Sequence, residues 1–323
     1  MNKLFDYKDV RLVPKKCVVN SRKECDTSVI FGGRTFDMPV YPANMKSVVD
    51  MDTCKFFAKN NWFYTMHRFD IDIIDFLIDM NDEESFSSIS VGINEDSYKV
   101  LEKIYQEPLM VNYITIDVAN AWSEKVHKMI DFIKKNFSDT FLIVGNVATP
   151  EAVEELEKWG ADAIKVGIGP GAVCTTYLKT GVGTKGWQLT SVKRCSDVTD
   201  LPIIADGGIV EHGDIAKAIA CGAHMVMAGS LFSGYEQSAG NIIELEDWKR
   251  GHVEYTRYKE YFGSASKNNK DELKNIEGKK TLIPYRGDMT RLLKELKEDL
   301  QSSISYVGGK DLEDLKKAKY IKV

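Results

Sequence analysis

Short runs of apolar, β-branched and small residues alternate along the chain with longer stretches in which apolar positions recur at helical spacing. Eight runs stand out: Met38 to Met45, Phe63 to Arg68, Ser87 to Ile93, Tyr113 to Ala119, Phe141 to Ala148, Ala163 to Gly169, Leu201 to Ile209, and Met225 to Leu231. Most are too evenly apolar for a sheet with one wet face and fit parallel strands buried on both. The stretches between them, such as Ser123 to Asn136 and Pro150 to Trp159, read as amphipathic helices. Thr149-Pro150-Glu151 makes a good helix start, with proline in the first turn. Eight strand-helix units predict an α/β fold of the (β/α)8 TIM-barrel type in preference to a doubly wound sheet, although counting alone leaves an open eight-stranded sheet standing.

No low-complexity linker interrupts this rhythm, so residues 1–323 read as one barrel domain with an N-terminal extension. Two segments break it: 169–187 after the sixth strand and 235–284 after the eighth, the second read as a flap. Long connections that follow barrel strands gather at the C-terminal face, where active sites are built.

Composition narrows the partners. The chain is 43% hydrophobic, enough for one large core, and carries 43 lysines and arginines against 48 acids, a net charge of −5. That balance offers no basic field for nucleic acid or an anionic membrane, so a phosphate-bearing ligand needs local binding groups. No apolar run approaches about 18 residues, and the charged opening from Met1 to Lys16 lacks the features of a signal peptide, so a cytoplasmic protein is expected. Cys17, Cys25, Cys54, Cys174, Cys195 and Cys221 form no CxxC pair, which predicts free thiols.

One of those thiols sits in a shaped backbone. The segment Gly167-Ile168-Gly169-Pro170-Gly171-Ala172-Val173-Cys174-Thr175-Thr176 places three glycines and a proline before Cys174, and two threonine hydroxyls follow as proton carriers or orienting groups. A lone cysteine is usually a small buried hydrophobe; its place on the C-terminal face makes Cys174 a candidate nucleophile. No histidine lies nearby in sequence to serve as its base. The seventh strand ends in Asp206-Gly207-Gly208 and the eighth in Gly229-Ser230, where bare backbone amides make a phosphate cradle and Asp206 is placed to hold ribose hydroxyls. The strand-to-helix GxGxxG fingerprint of a Rossmann domain is absent.

These residues resemble the IMP dehydrogenase and GMP reductase family. The resemblance rests on Gly167 to Thr176, Lys179-Thr180-Gly181-Val182-Gly183, Asp206 to Ile209, Glu277-Gly278, Pro284-Tyr285-Arg286-Gly287, the opening Phe5 to Val10, Pro42 to Met45, and the closing Ser305 to Gly309. Within the family, the reductase side is favoured by the absence of the dehydrogenase regulatory insertion and by the short path from Tyr261-Phe262-Gly263-Ser264-Ala265-Ser266 to Glu277. The segments 183–189 and 301–305 are similar to the bacterial, Firmicutes-type reductases.

The resemblance implies NADPH-dependent reductive deamination of GMP to IMP with release of ammonia. It implies that Cys174 attacks purine C2 to form a thioimidate, and that Thr176 and Glu277 move protons. GMP contacts fall by resemblance on Asp206, Gly207, Gly208, Gly229, Ser230, Gly263, Ser264 and Gly278. NADPH contacts fall on Ser21, Arg22, Arg68, Asp117, Val118, Ala119, Ile168 and Tyr306, and a potassium ion on the carbonyls of Gly169, Gly171 and Cys174. Family members commonly assemble as homotetramers. Ala172, Tyr177 and Trp122 depart from the commoner pattern, each beside a binding region. The competing readings are an IMP dehydrogenase without its regulatory domain and a non-catalytic purine-nucleotide sensor on the same barrel.

Overall fold

The structure is a computed structural model and describes residues 4–107, 109–249, 252–264, 266 and 277–323. Seven strands, Val40–Pro42, Ser88–Val91, Tyr113–Asp117, Phe141–Val147, Ala163–Val166, Ile203–Asp206 and Met225–Ala228, form one parallel sheet. The last of them pairs with both its predecessor and the first, which curls the sheet toward closure. The run Phe63 to Arg68 supplies the eighth element as a single parallel bridge: Met66 N donates to the Ser88 carbonyl at 2.9 Å, and Ser90 N donates to the Met66 carbonyl at 3.0 Å. Toward the first strand this element packs by side chains, Phe63 meeting the Tyr41 ring edge to face at 4.8 Å. The fold is thus a (β/α)8 barrel in which one predicted strand is reduced to a bridge, because ring packing replaces a ladder on one of its sides.

Local sequence explains the elements. Ser88–Val91, Ala163–Val166 and Met225–Ala228 are buried at every position, as strands covered on both faces must be. Helix Glu124–Asn136 buries Val126, Met129, Ile130 and Ile133, one stripe at helical spacing. Helix Pro150–Trp159 begins on its proline and ends at Gly160, whose φ of 104° terminates it in the left-handed region. The paired strands are shorter than the apolar runs because their last residues leave the sheet to build loops.

The lower end of the barrel is plugged. A hairpin, Val29–Phe31 with Arg34–Phe36, sets Phe31 against the Tyr113 and Phe141 rings at the starts of two strands, and Tyr113 Oη donates to the Phe31 carbonyl at 2.7 Å. The upper end is covered by a three-stranded antiparallel sheet, Ile242–Lys249, His252–Phe262 and Lys280–Pro284. This sheet occupies much of the predicted flap segment 235–284, of which 250–251, 265 and 267–276 lie outside the described residues. Lys259 ties it down by donating to the carbonyls of Glu236 and Ser238. Among the described residues, no helix is long and apolar enough to cross a membrane.

Candidate active site

A cleft of about 320 Å³ opens at the C-terminal ends of the strands. Its walls come from both segments that break the strand-helix rhythm, with Cys174, Thr176, Gly263, Ser264 and Glu277 along one side.

The cysteine loop does not stand alone. Residue Gly278, on the return from the antiparallel sheet, forms an antiparallel bridge with Cys174. Thr175 N donates to the Glu277 carbonyl at 2.7 Å, and Lys279 N donates to the Val173 carbonyl at 2.9 Å. This backbone pairing fixes Glu277 over the loop, where its Oε2 accepts a 2.6 Å hydrogen bond from Thr176 Oγ1. Thr176 Oγ1 lies 3.2 Å from Cys174 Sγ. Because the threonine proton points to the carboxylate, a threonine lone pair is left for the thiol proton. The result is a continuous proton path from sulfur to carboxylate. Where the local sequence offers no histidine, the fold brings a carboxylate from about a hundred positions away in the chain.

On the opposite side the seventh-strand turn approaches the same loop. Gly207 has a φ of 86°, and a Cβ there would stand 2.9 Å from Pro170 Cγ, so a side chain would push the two segments apart.

Beneath the cleft lies a charged floor. Lys165, only 2% exposed, places Nζ 2.9 Å from Asp117 Oδ1 and 2.9 Å from Asp206 Oδ2. Asn146 Nδ2 donates to the same Asp206 oxygen at 2.6 Å and to the Gly167 carbonyl at 2.5 Å. Burial opposes the charge on Lys165, but the two carboxylates outweigh it and hold its pKa above the ordinary lysine value. Burial likewise works against the Asp117 anion, yet Lys165 and Arg68 bring its pKa below the usual carboxylate value. Both groups are therefore charged at neutral pH.

The cleft gathers most of the residues singled out from sequence. Asp206, Gly207, Gly229, Gly263 and Ser264 line it, as do Arg68, Asp117, Val118, Ala119, Ile168, Gly169 and Gly171. Gly278 is placed by its bridge to Cys174, Gly208 adjoins Gly207, and the Ser230 carbonyl accepts from Arg286 Nη1 at 3.1 Å beside the cleft. Ser21, Arg22 and Tyr306 are not brought there. They cluster at the C-terminal end of helix Met289–Tyr306, where Arg22 Nη2 donates to Tyr306 Oη at 2.7 Å. Among the departures, Tyr177 carries Lys185 Nζ 4.8 Å from its ring centroid, which returns a cation to the loop. Trp122 is anchored by Nε1 donating to Glu155 Oε2 at 2.5 Å.

Sequence reasoning missed Lys165, Asn146 and Tyr261, all of which line the cleft. Lys165 did leave a signal: it is the lone charge inside the apolar run Ala163-Ile164-Lys165-Val166. A charge there must be paired or functional, since an isolated buried ammonium is too costly. Tyr261, on the antiparallel sheet, is recognisable only when that sheet is folded over the eighth-strand end.

Residues 77–323 match the IMP dehydrogenase / GMP reductase domain. The chain is 55% identical to a GMP reductase of Chromobacterium violaceum over 99% of this chain and 98% of that protein. It is 53% identical to one of Oceanobacillus iheyensis over 100% and 97%, and 52% identical to one of Staphylococcus aureus over 99% and 96%. With its barrel, its cysteine loop and full-length relatives of one name, the chain belongs to the IMP dehydrogenase / GMP reductase family.

Proposed function

We propose that this protein is an NADPH-dependent GMP reductase, an oxidoreductase that converts GMP to IMP and ammonia. The observation that carries the reading is the chain Cys174 Sγ, Thr176 Oγ1, Glu277 Oε2, with contacts of 3.2 and 2.6 Å. Relatives named GMP reductase over the whole length support the same choice.

The thiol proton passes to Thr176 Oγ as the threonine proton passes to Glu277, leaving a thiolate and a neutral carboxylic acid. The thiolate adds to purine C2. Glu277, now an acid, returns its proton through Thr176 to the amino nitrogen, which leaves as ammonia while the C2–S bond is kept as a thioimidate. NADPH supplies the hydride that C2 then receives, and the C2–S electron pair returns to sulfur to regenerate Cys174. The balance is GMP, NADPH and a proton giving IMP, NADP+ and ammonia.

The remaining residues bind and orient. Asp206 accepts from the ribose hydroxyls, and the amides around Gly207, Gly208, Gly229 and Ser230 face the phosphate. Gly263, Ser264 and Gly278 close the nucleotide from above. NADPH fits the opposite side: Val118, Ala119 and Ile168 give apolar walls for a planar ring, and Arg68 at the rim suits a phosphate. Ser21, Arg22 and Tyr306 are proposed cofactor contacts from resemblance alone. Three neutral carbonyls, those of Gly169, Gly171 and Cys174, suit a monovalent cation such as potassium better than a divalent one, which favours carboxylates. Such an ion would stiffen the cysteine turn. Assembly as a cytoplasmic homotetramer belongs to the same proposal.

The test mixes the protein with GMP and NADPH and follows nicotinamide absorbance and ammonia. Oxidation of NADPH matched by ammonia release is expected. NADH formation from IMP and NAD instead would make it a dehydrogenase, and GMP binding with neither reaction would make it a sensor.

A further inference from the structure

We propose that Lys165 is a positioning residue for nucleotide binding: from beneath the cleft its ammonium fixes Asp206 so that one carboxylate oxygen is committed to the protein and the other is presented to the sugar. The inference rests on the reading of Asp206 as the ribose contact and adds how that contact is built.

The strand register makes the arrangement. Asp117, Gly145 and Lys165 stand opposite one another on three adjacent parallel strands, so their side-chain positions point to the same face. The middle position carries no side chain, and a Cβ at Gly145 would come 2.5 Å from Lys165 Cβ. The lysine stem therefore crosses space that any other residue at 145 would fill, and its Nζ reaches Asp117 on one side and Asp206 on the other at 2.9 Å each. Asp206 Oδ2 is saturated by two donors, Lys165 Nζ and Asn146 Nδ2. Among the described residues Asp206 Oδ1 accepts no hydrogen bond, and Asp206 lines the cleft. One carboxylate oxygen is thus pinned from below, and the other is free to accept hydroxyls.

Together with Arg68, the buried cation also holds Asp117 ionised against the cost of its burial. Without it, two desolvated acids would face each other, and one would hold a proton into the neutral range. A proton shared by the pair would leave a poorer acceptor for a ribose hydroxyl. Lys165 accordingly keeps the carboxylates of the floor from adding to the pH dependence that the phosphate of GMP, with a second pKa of about 6, gives by itself.

The experiment compares wild type with Lys165→Met, Lys165→Arg, Asp117→Asn and the double variant Asp117→Asn/Lys165→Met, measuring GMP dissociation constants by calorimetry and steady-state kinetics from about pH 5 to 8. Lys165→Met is expected to weaken GMP binding about tenfold at neutral pH, with a smaller change in kcat than in KM, and its affinity relative to wild type at the same pH should improve as pH rises. Lys165→Arg, which keeps the cation, should restore the wild-type pH profile. If Lys165→Met does not fold, the double variant, with the same net charge in the cluster as wild type, decides: it must bind GMP more weakly than Asp117→Asn alone. Wild-type affinity and a pH profile parallel to that of wild type in Lys165→Met, or a double variant as tight as Asp117→Asn, overturns the proposal. Failure of the wild-type protein to bind GMP at any pH overturns the reading of the substrate and the proposal with it.

Discussion

The floor of the cleft stands on strands, whereas its reactive rim is assembled from loops. Asp117, Asn146, Lys165 and Asp206 belong to four adjacent strands whose ladders set their positions. Thr176 and Glu277 instead meet across 101 positions of chain, held by the short backbone pairing of Cys174 with Gly278. A strand-borne charge is placed as firmly as the barrel itself. A loop-borne dyad exists only while the returning segment is docked, so loss at the rim should cost turnover before affinity, and loss at the floor should cost affinity and stability.

The sharpest way to break this contrast is at the sulfur. Cys174→Ser should lower NADPH oxidation by about 10⁴-fold or more while calorimetry still finds GMP binding; a fully active variant would sink the covalent route. Glu277→Gln keeps the shape of the rim and removes the proposed base. Its kcat is expected to fall about 10²- to 10³-fold with little change in KM for GMP, and a comparable rise in KM would mean that the Glu277 carboxylate itself also binds substrate.

Acid probes the scaffold instead. Burial pushes the His67 imidazole down to about 4 from an ordinary value of 6.5. The unfolded chain therefore binds a proton that the folded chain refuses, and stability falls as pH drops through that interval and levels off below it. The loss is about 3 kcal/mol, measurable as the difference between urea denaturation at pH 7 and at the bottom of the window. In His67→Asn this component should vanish, since asparagine can still accept from Phe69 N, which donates to His67 Nδ1 at 3.1 Å.

Gly145→Ala tests the floor by crowding rather than by charge. It should cost about 2 kcal/mol of stability and weaken GMP binding with kcat less affected. Intact binding would show that Lys165 can move without Asp206 following. The smallest effect is expected at Trp122, which is 44% exposed. Trp122→Phe removes the bond to Glu155 and should cost about 1 kcal/mol or less, read by thermal denaturation, with GMP turnover at saturation unchanged.

Much of this was legible in the chain. The apolar runs, seven of which form strands of the parallel sheet and one a single bridge, the helix from Pro150 to Trp159 with its proline start and glycine stop, and the glycine-rich turn before Cys174 are local signals. The bridge-only second strand was not legible, because nothing in Phe63 to Arg68 shows that Phe63 will meet Tyr41 by its ring instead of its backbone. Nor was the antiparallel sheet in 235–284, whose strands pair with each other beyond the strand-helix period that organises the rest. Family likeness named Ser21, Arg22 and Tyr306 as cofactor contacts, and the fold sets them together at the end of helix Met289–Tyr306, apart from the cleft.

What the sequence by itself determined was the set of parts: a barrel period, a free thiol in a bare turn, and glycines at the ends of the seventh and eighth strands. These follow from spacing and side-chain chemistry within about ten residues of each part. What only the tertiary structure decided was which distant groups complete them. Glu277 becomes the partner of Thr176 because Gly278 beside it forms a backbone bridge with Cys174, and Lys165 reaches both Asp117 and Asp206 because parallel register aligns it with a glycine. Both outcomes depend on long-range backbone pairing, which no local pattern specifies.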